Sequence, residues 1–485
     1  MTADVAAYLD ADSELGAFID GKPQPASGEI LAVEDPATLD ELARVAEATV
    51  ADVDQAVASA RRTYLRQWRD LRGPARAQIL AAIAAALRRE AVGLARLETL
   101  DTGKPLRQAR GDVETAARYF EFYAGVADKI YGQMIPGEGS YWSYTLREPY
   151  GVVGHITPWN SPISQMCRGI APSLAAGNTV VVKPSELTPL SSLAAARVFV
   201  NAGLPPGACN VIPGRGPTTG RALVGNADVA HIGFTGSVAT GRQILHLAAE
   251  RIIGVNLELG GKSPTIIMPD ADLAAAVQAG AAAVVRNAGQ SCFATTRLLV
   301  HRRIAAEFAE LLVAAVAGLS VGPGLEDPDL GPVASAQQLE KVLVALESGR
   351  ADGARLVAGG GRPAGLRGHF ITPAVLTGVS NDMAIARQEI FGPVQTVLEF
   401  DDEDEAVELA NDSSYGLAAG IFSRDISVAH RLARRLEAGQ VQINRYPLGG
   451  VETPFGGYKQ SGIGREKGLA AIDSYTQLKT VIVAE

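Results

Sequence analysis

The chain has 485 residues, so at roughly 100–200 residues per domain about three units are expected. Hydrophobic residues make up 47% and charged residues 20%, a globular balance that excludes wholesale disorder and collagen-like repeats. Against 53 Asp and Glu stand 44 Lys and Arg, and the net charge of −9 disfavours nucleic acid as a partner because it repels phosphate backbones.

Three cysteines, Cys167, Cys209 and Cys292, are too few for a disulfide framework, which points to a reducing compartment. The start, Met1-Thr2-Ala3-Asp4-Val5, lacks the positive and apolar regions of a secretory signal. No apolar run approaches the roughly 18 residues of a membrane helix. A soluble, cytoplasmic protein is expected, without a membrane partner.

In chain order, 51–89 reads as helix with Gly and Pro confined to Gly73-Pro74, and an amphipathic stretch runs from Leu106 to Ala127. The segment 132–142 is rich in Gly, Ser and aromatics and leads into an alternating strand or hairpin at 143–148. From Gly151 short apolar strands alternate with helices. The strands are 151–156, 178–182, 209–212 and 231–234; the helices include 190–202 and 216–224. Buried strands separated by helices predict a parallel α/β sheet. The pattern then repeats, with strands at 263–268 and 297–301 and helices at 273–287, 305–319 and 334–349. Two α/β units in series are expected. The acidic run 401–405 reads as the N-terminus of a helix rather than a metal site.

Two segments have the look of phosphate loops. Gly214 to Gly220 follows a strand, but its Gly-x-Gly-x-x-x-Gly spacing is one residue longer than the usual dinucleotide fingerprint. The turn Phe234-Thr235-Gly236-Ser237 also leaves a strand, and Ser237 could cap a helix whose free N–H groups receive a pyrophosphate. Cys292 is flanked by Gly289 and Ser291, small residues that leave a sulfur approachable. Glu258 sits among apolar neighbours that would raise its pKa toward the range of a general base.

Seven segments stand in register with one family. They are Thr157-Pro158-Trp159-Asn160, Lys183-Pro184-Ser185-Glu186, the 234–237 turn, 258–262, 289–292, Glu389-Ile390-Phe391-Gly392-Pro393 and Pro454-Phe455-Gly456-Gly457-Tyr458-Lys459. From about residue 18 onward the chain resembles the NAD(P)-dependent aldehyde dehydrogenase superfamily. The resemblance implies a Rossmann-type cofactor domain (1–127 and 150–259), an α/β catalytic domain (260–453) and a small β oligomerisation element (128–149 and 454–485). It also implies a homodimer or homotetramer.

By the same resemblance Cys292 is the nucleophile, Asn160 and the Cys292 N–H hold the oxyanion, and Glu258 activates the hydrolytic water. Lys183 and Glu186 match the adenosine-ribose site, Gly236 and Ser237 the pyrophosphate site. Glu389, Phe391 and Trp159 match the nicotinamide end. Glu186 favours NAD, because its carboxylate accepts hydrogen bonds from ribose hydroxyls and would repel a 2′-phosphate; NADP stays open. Ser161, Gln165, Arg168, Phe293, Gly449 and Phe455 fall on the substrate tunnel. Ser161 stands where many relatives carry an aromatic residue, and Arg168-Gly169 where they often show Trp-Lys. The expected substrate is a medium-sized hydrophobic aldehyde. A semialdehyde attracted by Arg168 is the alternative, unless Arg168 simply pairs with Glu466. A catalytically silent binding protein is disfavoured by the presence of Cys292, Glu258 and Asn160 together. No metal is expected.

Overall fold

The computed structural model describes Tyr8, 14–137 and 140–484. The segment 1–5 read above for a secretory signal lies outside the described residues, as do Glu138, Gly139 and Glu485.

After the short strands Phe18–Ile19, Lys22–Pro23, Ile30–Glu34 and Glu41–Ala46 come four helices: α1 (Val50–Thr63), α2 (Gly73–Arg89), α3 (Ala91–Thr102) and α4 (Leu106–Ala124). The single helical run expected over 51–89 is thus interrupted. A π-helical turn, Tyr64–Trp68, follows α1, and α2 restarts with Pro74 in its first turn, where a missing N–H costs nothing.

Five parallel strands form the centre of the first sheet: β1 (Val152–Ile156), β2 (Thr179–Lys183), β3 (Cys209–Val211), β4 (Val229–Thr235) and β5 (Gly254–Glu258). Their order is β3-β2-β1-β4-β5. Every residue of β1 and β2 is buried, which is why they read as short, Val-rich apolar strands. Helix α5 (Pro162–Ala176) leaves β1, α6 (Leu190–Asn201) leaves β2 and α7 (Val238–Arg251) leaves β4. The connections reverse direction between β1 and β4. In such a sheet the carboxyl ends on either side of that switch point open a crevice for ligands.

The second sheet has seven strands: β6 (Pro264–Ile267), β7 (Arg297–His301), β8 (Arg355–Ala358), β9 (Ala374–Thr377), β10 (Val394–Phe400), β11 (Ala418–Phe422) and β12 (Gln440–Ile443). The order is β8-β9-β10-β7-β6-β11-β12, and only β8 runs antiparallel to its neighbour. Helices α8 (Leu273–Val285), α9 (Arg302–Ala317), α10 (Ala336–Ala351), α11 (Glu403–Asn411) and α12 (Ile426–Arg435) cover it. Asp402 caps α11 through the N–H groups of Asp404 and Glu405, the role expected of the acidic run. Helix α8 stops at Val285, two residues short of the expected end, because the backbone beyond it turns left-handed.

A third sheet of three strands runs Thr476–Ala484, Tyr141–Pro149, Met134–Ile135, so the C-terminal tail pairs with the 141–149 segment and keeps its other edge open. Gly462–Ile463 returns to pair with β5 in the first sheet. Among the described residues no helix is long and apolar enough to cross a membrane.

Candidate active site

Past α8 the chain enters a tight loop. Asn287 and Ala288 have φ of 51° and Gly289 has φ of 72°. A left-handed alanine costs roughly 1–2 kcal/mol, so the neighbours must hold it there. They do so with side-chain amides. Asn287 Nδ2 donates to the carbonyls of Asn160 (2.6 Å) and Gln290 (3.2 Å), and its backbone N–H donates to Gln108 Oε1 (2.8 Å). Gln290 Nε2 donates to Asn287 O (2.9 Å), while Gln290 Oε1 accepts from Ala334 N (2.9 Å). A Cβ on Gly289 would lie 2.2 Å from the Gly392 carbonyl oxygen, so a side chain there has no space.

This loop presents Cys292, half-buried. Burial pushes its thiol up to about 12, while the Arg168 guanidinium and the Phe293 N–H favour the thiolate. At neutral pH the sulfur therefore rests protonated. Asn160, four residues past the end of β1, donates one Nδ2 hydrogen to the Gln290 carbonyl at 2.9 Å and keeps the other free. The Cys292 N–H has no acceptor among the described residues. Two unspent donors therefore stand beside the sulfur.

Glu258 ends β5 and is only 1% exposed. Neither of its carboxyl oxygens has a hydrogen-bond partner, whereas its carbonyl accepts from Gly236 N at 3.0 Å. Burial, then the neighbouring Glu466, hold its pKa well above the ordinary carboxylate range; Arg168, Arg465 and Lys467 partly offset this. Glu466 itself forms a buried ion pair with Arg168, which also donates to Thr235 Oγ1 at 3.0 Å.

Two cavities meet at this point. One of about 490 Å³ is lined by Ser161, Arg168, Phe293, Gly449 and Phe455, and one of about 420 Å³ by Trp159, Gly236, Ser237, Glu258, Glu389 and Phe391. Both are lined by Asn160, Gln165 and Cys292. Residues from six of the seven sequence segments thus line the cavities that meet at one sulfur.

A model of the aldehyde dehydrogenase family matches residues 24–481. The chain belongs to that family. It is 44% identical over 462 residues to an aldehyde dehydrogenase of Enchytraeus buchholzi, covering 94% of this chain and 93% of that one. The NAD+ complex of an aldehyde dehydrogenase from Bacillus cereus superposes with a TM-score of 0.97 at 43% identity, covering 100% of this chain and 99% of that one. An indole-3-acetaldehyde dehydrogenase from P. syringae, solved with NAD+ and IAA, gives a TM-score of 0.95 at 40% identity, covering 98% of each chain.

Within this aldehyde dehydrogenase fold the smaller cavity follows the switch point of the first sheet. Ser237 caps α7 by accepting from Thr240 N, leaving the first-turn N–H groups directed at the cavity end. Trp159 and Phe391 meet edge to face at 5.1 Å, and Gln338 Nε2 pins the Ile390 and Phe391 carbonyls at 2.9 and 2.8 Å. Glu389 accepts from Gly261 N at 3.1 Å and is raised by burial to about 6. Near it lies Lys262, a fully buried ammonium without a hydrogen-bond partner, lowered by burial to about 7.

Lys183 and Glu186 stand apart from the cavity lining. Lys183 is buried, donates to Gly214 O at 2.6 Å and lies 3.5 Å from Glu186. The 214–220 loop is occupied with the protein itself: Arg215 pairs with Glu29 and Glu47, and Thr218 bonds to Glu47. Ser161 is tied to the buried Lys104 at 3.2 Å, which also pairs with Asp112 at 2.5 Å and Glu98 at 3.4 Å. Sequence reasoning missed Lys104, Gln108, Lys262 and Gln338. Lys262 stood inside a recognised segment, but the other three lie on or beside distant helices with no local signal.

Proposed function

We propose that the protein oxidises an aldehyde to its carboxylic acid with NAD+, through a thiohemiacetal and then a thioester on Cys292. One observation carries this reading: Cys292 and Asn160 line both cavities, so an aldehyde on one side and a dinucleotide on the other would reach the same sulfur.

The residues of the smaller cavity suit a dinucleotide. The α7 N-terminus with Gly236 and Ser237 would take the pyrophosphate, and Lys183 and Glu186, outside the lining but just ahead in sequence of Leu187 within it, the adenosine ribose. Glu389 would take the second ribose, while Trp159 and Phe391 would flank the nicotinamide. A carboxylate at position 186 supports NAD over NADP. When bound, the cofactor supplies the acceptor for the hydride.

The protein's own groups do the rest. The Cys292 thiol would release its proton to solvent in the cavity as Sγ bonds to the carbonyl carbon, and the free Asn160 hydrogen and the Cys292 N–H would meet the oxygen that becomes anionic. Collapse of that adduct leaves the thioester. Glu258, as carboxylate, takes a proton from water, whose hydroxide attacks the thioester carbon and releases the acid. The low-dielectric site that raises Glu258 makes it the stronger base for this step.

Assembly as a homodimer or a dimer of dimers is supported by the open edge of Thr476–Ala484, where Leu478 and Ile482 lie exposed. The three cysteines are free, in keeping with a reducing, cytoplasmic setting.

The test is reduction of NAD+ by the purified protein across a panel of aldehydes, alongside Cys292→Ala. Turnover by wild type and its loss in a folded variant that still binds NAD+ are expected. Turnover by that variant would falsify the role of Cys292.

A further inference from the structure

The larger cavity carries more positive charge than a neutral aldehyde can use. Its two carboxylates already have cations outside the lining: Asp112 has Lys104 at 2.5 Å, and Glu114 has Arg88 at 2.8 Å. Of the cations in the lining, Arg168 is paired with Glu466 and Arg118 lies 3.6 Å from Glu121. Arg286, Arg445 and Lys467 remain, and among the described residues their side chains have no ion-pair or hydrogen-bond partner.

Aromatic rings hold two of these three. Arg286 Cζ lies 5.4 Å from the ring centroid of Phe293, and Lys467 Nζ lies 5.6 Å from that of Phe455. The two rings meet edge to face at 5.9 Å, and Phe293 directly follows the reactive cysteine. A cation resting on a ring is steadied by it, yet its N–H donors remain free for a ligand. The charges facing Lys467 are Arg168 and Arg286, which press on it, and Glu452 and Glu258, which favour it; with burial, the balance leaves it at about 8 and protonated at neutral pH. Arg286 is exposed and Lys467 half-buried, so a neutral aliphatic chain would strip water from these cations and offer no acceptor in return. An anion would satisfy them.

We propose that Arg286 and Lys467 form an anion-binding subsite, and that the preferred aldehyde carries a carboxylate or phosphate remote from its reacting carbonyl. This rests on the dehydrogenase reading above. It departs from the hydrophobic substrate expected from sequence, and it assigns the recognition once considered for Arg168 to two cations that Glu466 does not occupy.

The experiment compares kcat/KM for an ω-oxo acid, its neutral methyl ester and a phosphate-bearing aldehyde of similar length, using the full chain and NAD+. One anionic aldehyde is expected to exceed the ester by roughly 10- to 100-fold, the effect lying mainly in KM. Whichever anion leads identifies the head group. Arg286→Gln and Lys467→Met should each draw the anion-to-ester ratio toward one, whereas Lys467→Arg should preserve it. Equal use of ester and anions by the wild type, or a ratio unmoved in both variants, overturns the subsite and leaves the dehydrogenase reading standing. Absence of NADH with every aldehyde overturns both.

Discussion

The two cavities flanking Cys292 are built in different ways. The smaller one takes much of its lining from three neighbouring strand ends, 158–160 after β1, 235–237 after β4 and 258–260 after β5. Each end is a short contiguous stretch fixed by the pairing of buried parallel strands. The larger one draws on the side of α4, the first turns of α5, the cysteine loop and two long segments around 445–451 and 455–467. Strand ends constrain a ligand through backbone and so leave local motifs. Helix flanks and loops constrain it through individual side chains, which can vary without disturbing the sheet. The lesson is that one architecture can show its cofactor in the sequence and keep its substrate hidden.

Glu258, in the smaller cavity, offers the sharpest way to break this contrast. Glu258→Gln should slow deacylation by roughly 10²–10⁴-fold, and rapid-quench sampling should catch acyl-enzyme accumulating. Because burial raises the Glu258 pKa, its carboxylate forms only above the ordinary range. Wild-type deacylation should therefore rise with pH above the ordinary carboxylate range, and that rise should vanish in the variant. An unchanged pH profile would move the base role elsewhere.

Asn160 belongs to both cavities, and Asn160→Ala should lower kcat by roughly 10²–10³-fold through the lost oxyanion donor. NAD+ affinity, read by fluorescence titration, should change little. A comparable loss in cofactor binding would mean that the amide serves the loop fold, through Gln290, more than the reaction.

The smallest effect is expected at the cofactor end. Glu186→Ser removes the like charge that a 2′-phosphate would meet and should raise the NADP-to-NAD ratio of kcat/KM by about tenfold. A ratio that stays put would show that Lys183, already committed to Gly214 O and Glu186, governs the choice instead.

Short apolar strands alternating with helices revealed two α/β units in series, because parallel strands buried on both faces are rich in Val, Ile and Leu. β1, β2 and β7 therefore stood out without a partner in view. The same reading overran α8: Asn287 and Gly289 accept a left-handed backbone, but Ala288 between them gives no such signal and is held there by distant amides. The 214–220 loop shows the opposite error that glycine spacing invites: it looks like a phosphate cradle, but Glu29 and Glu47 already occupy its polar groups.

What the sequence by itself determined was the fold class and the family, and it singled out the sulfur, carboxyl and amide that line the two cavities, because these lie in short segments whose local chemistry is self-contained. Tertiary structure alone decided that Cys292 lies where two cavities join, that Arg168 is spent on Glu466, and that Arg286 and Lys467 face the substrate side unpaired. Whether a charge is available to a ligand depends on what has been folded against it. For Arg168 that partner lies 298 residues along the chain, a separation no local pattern records.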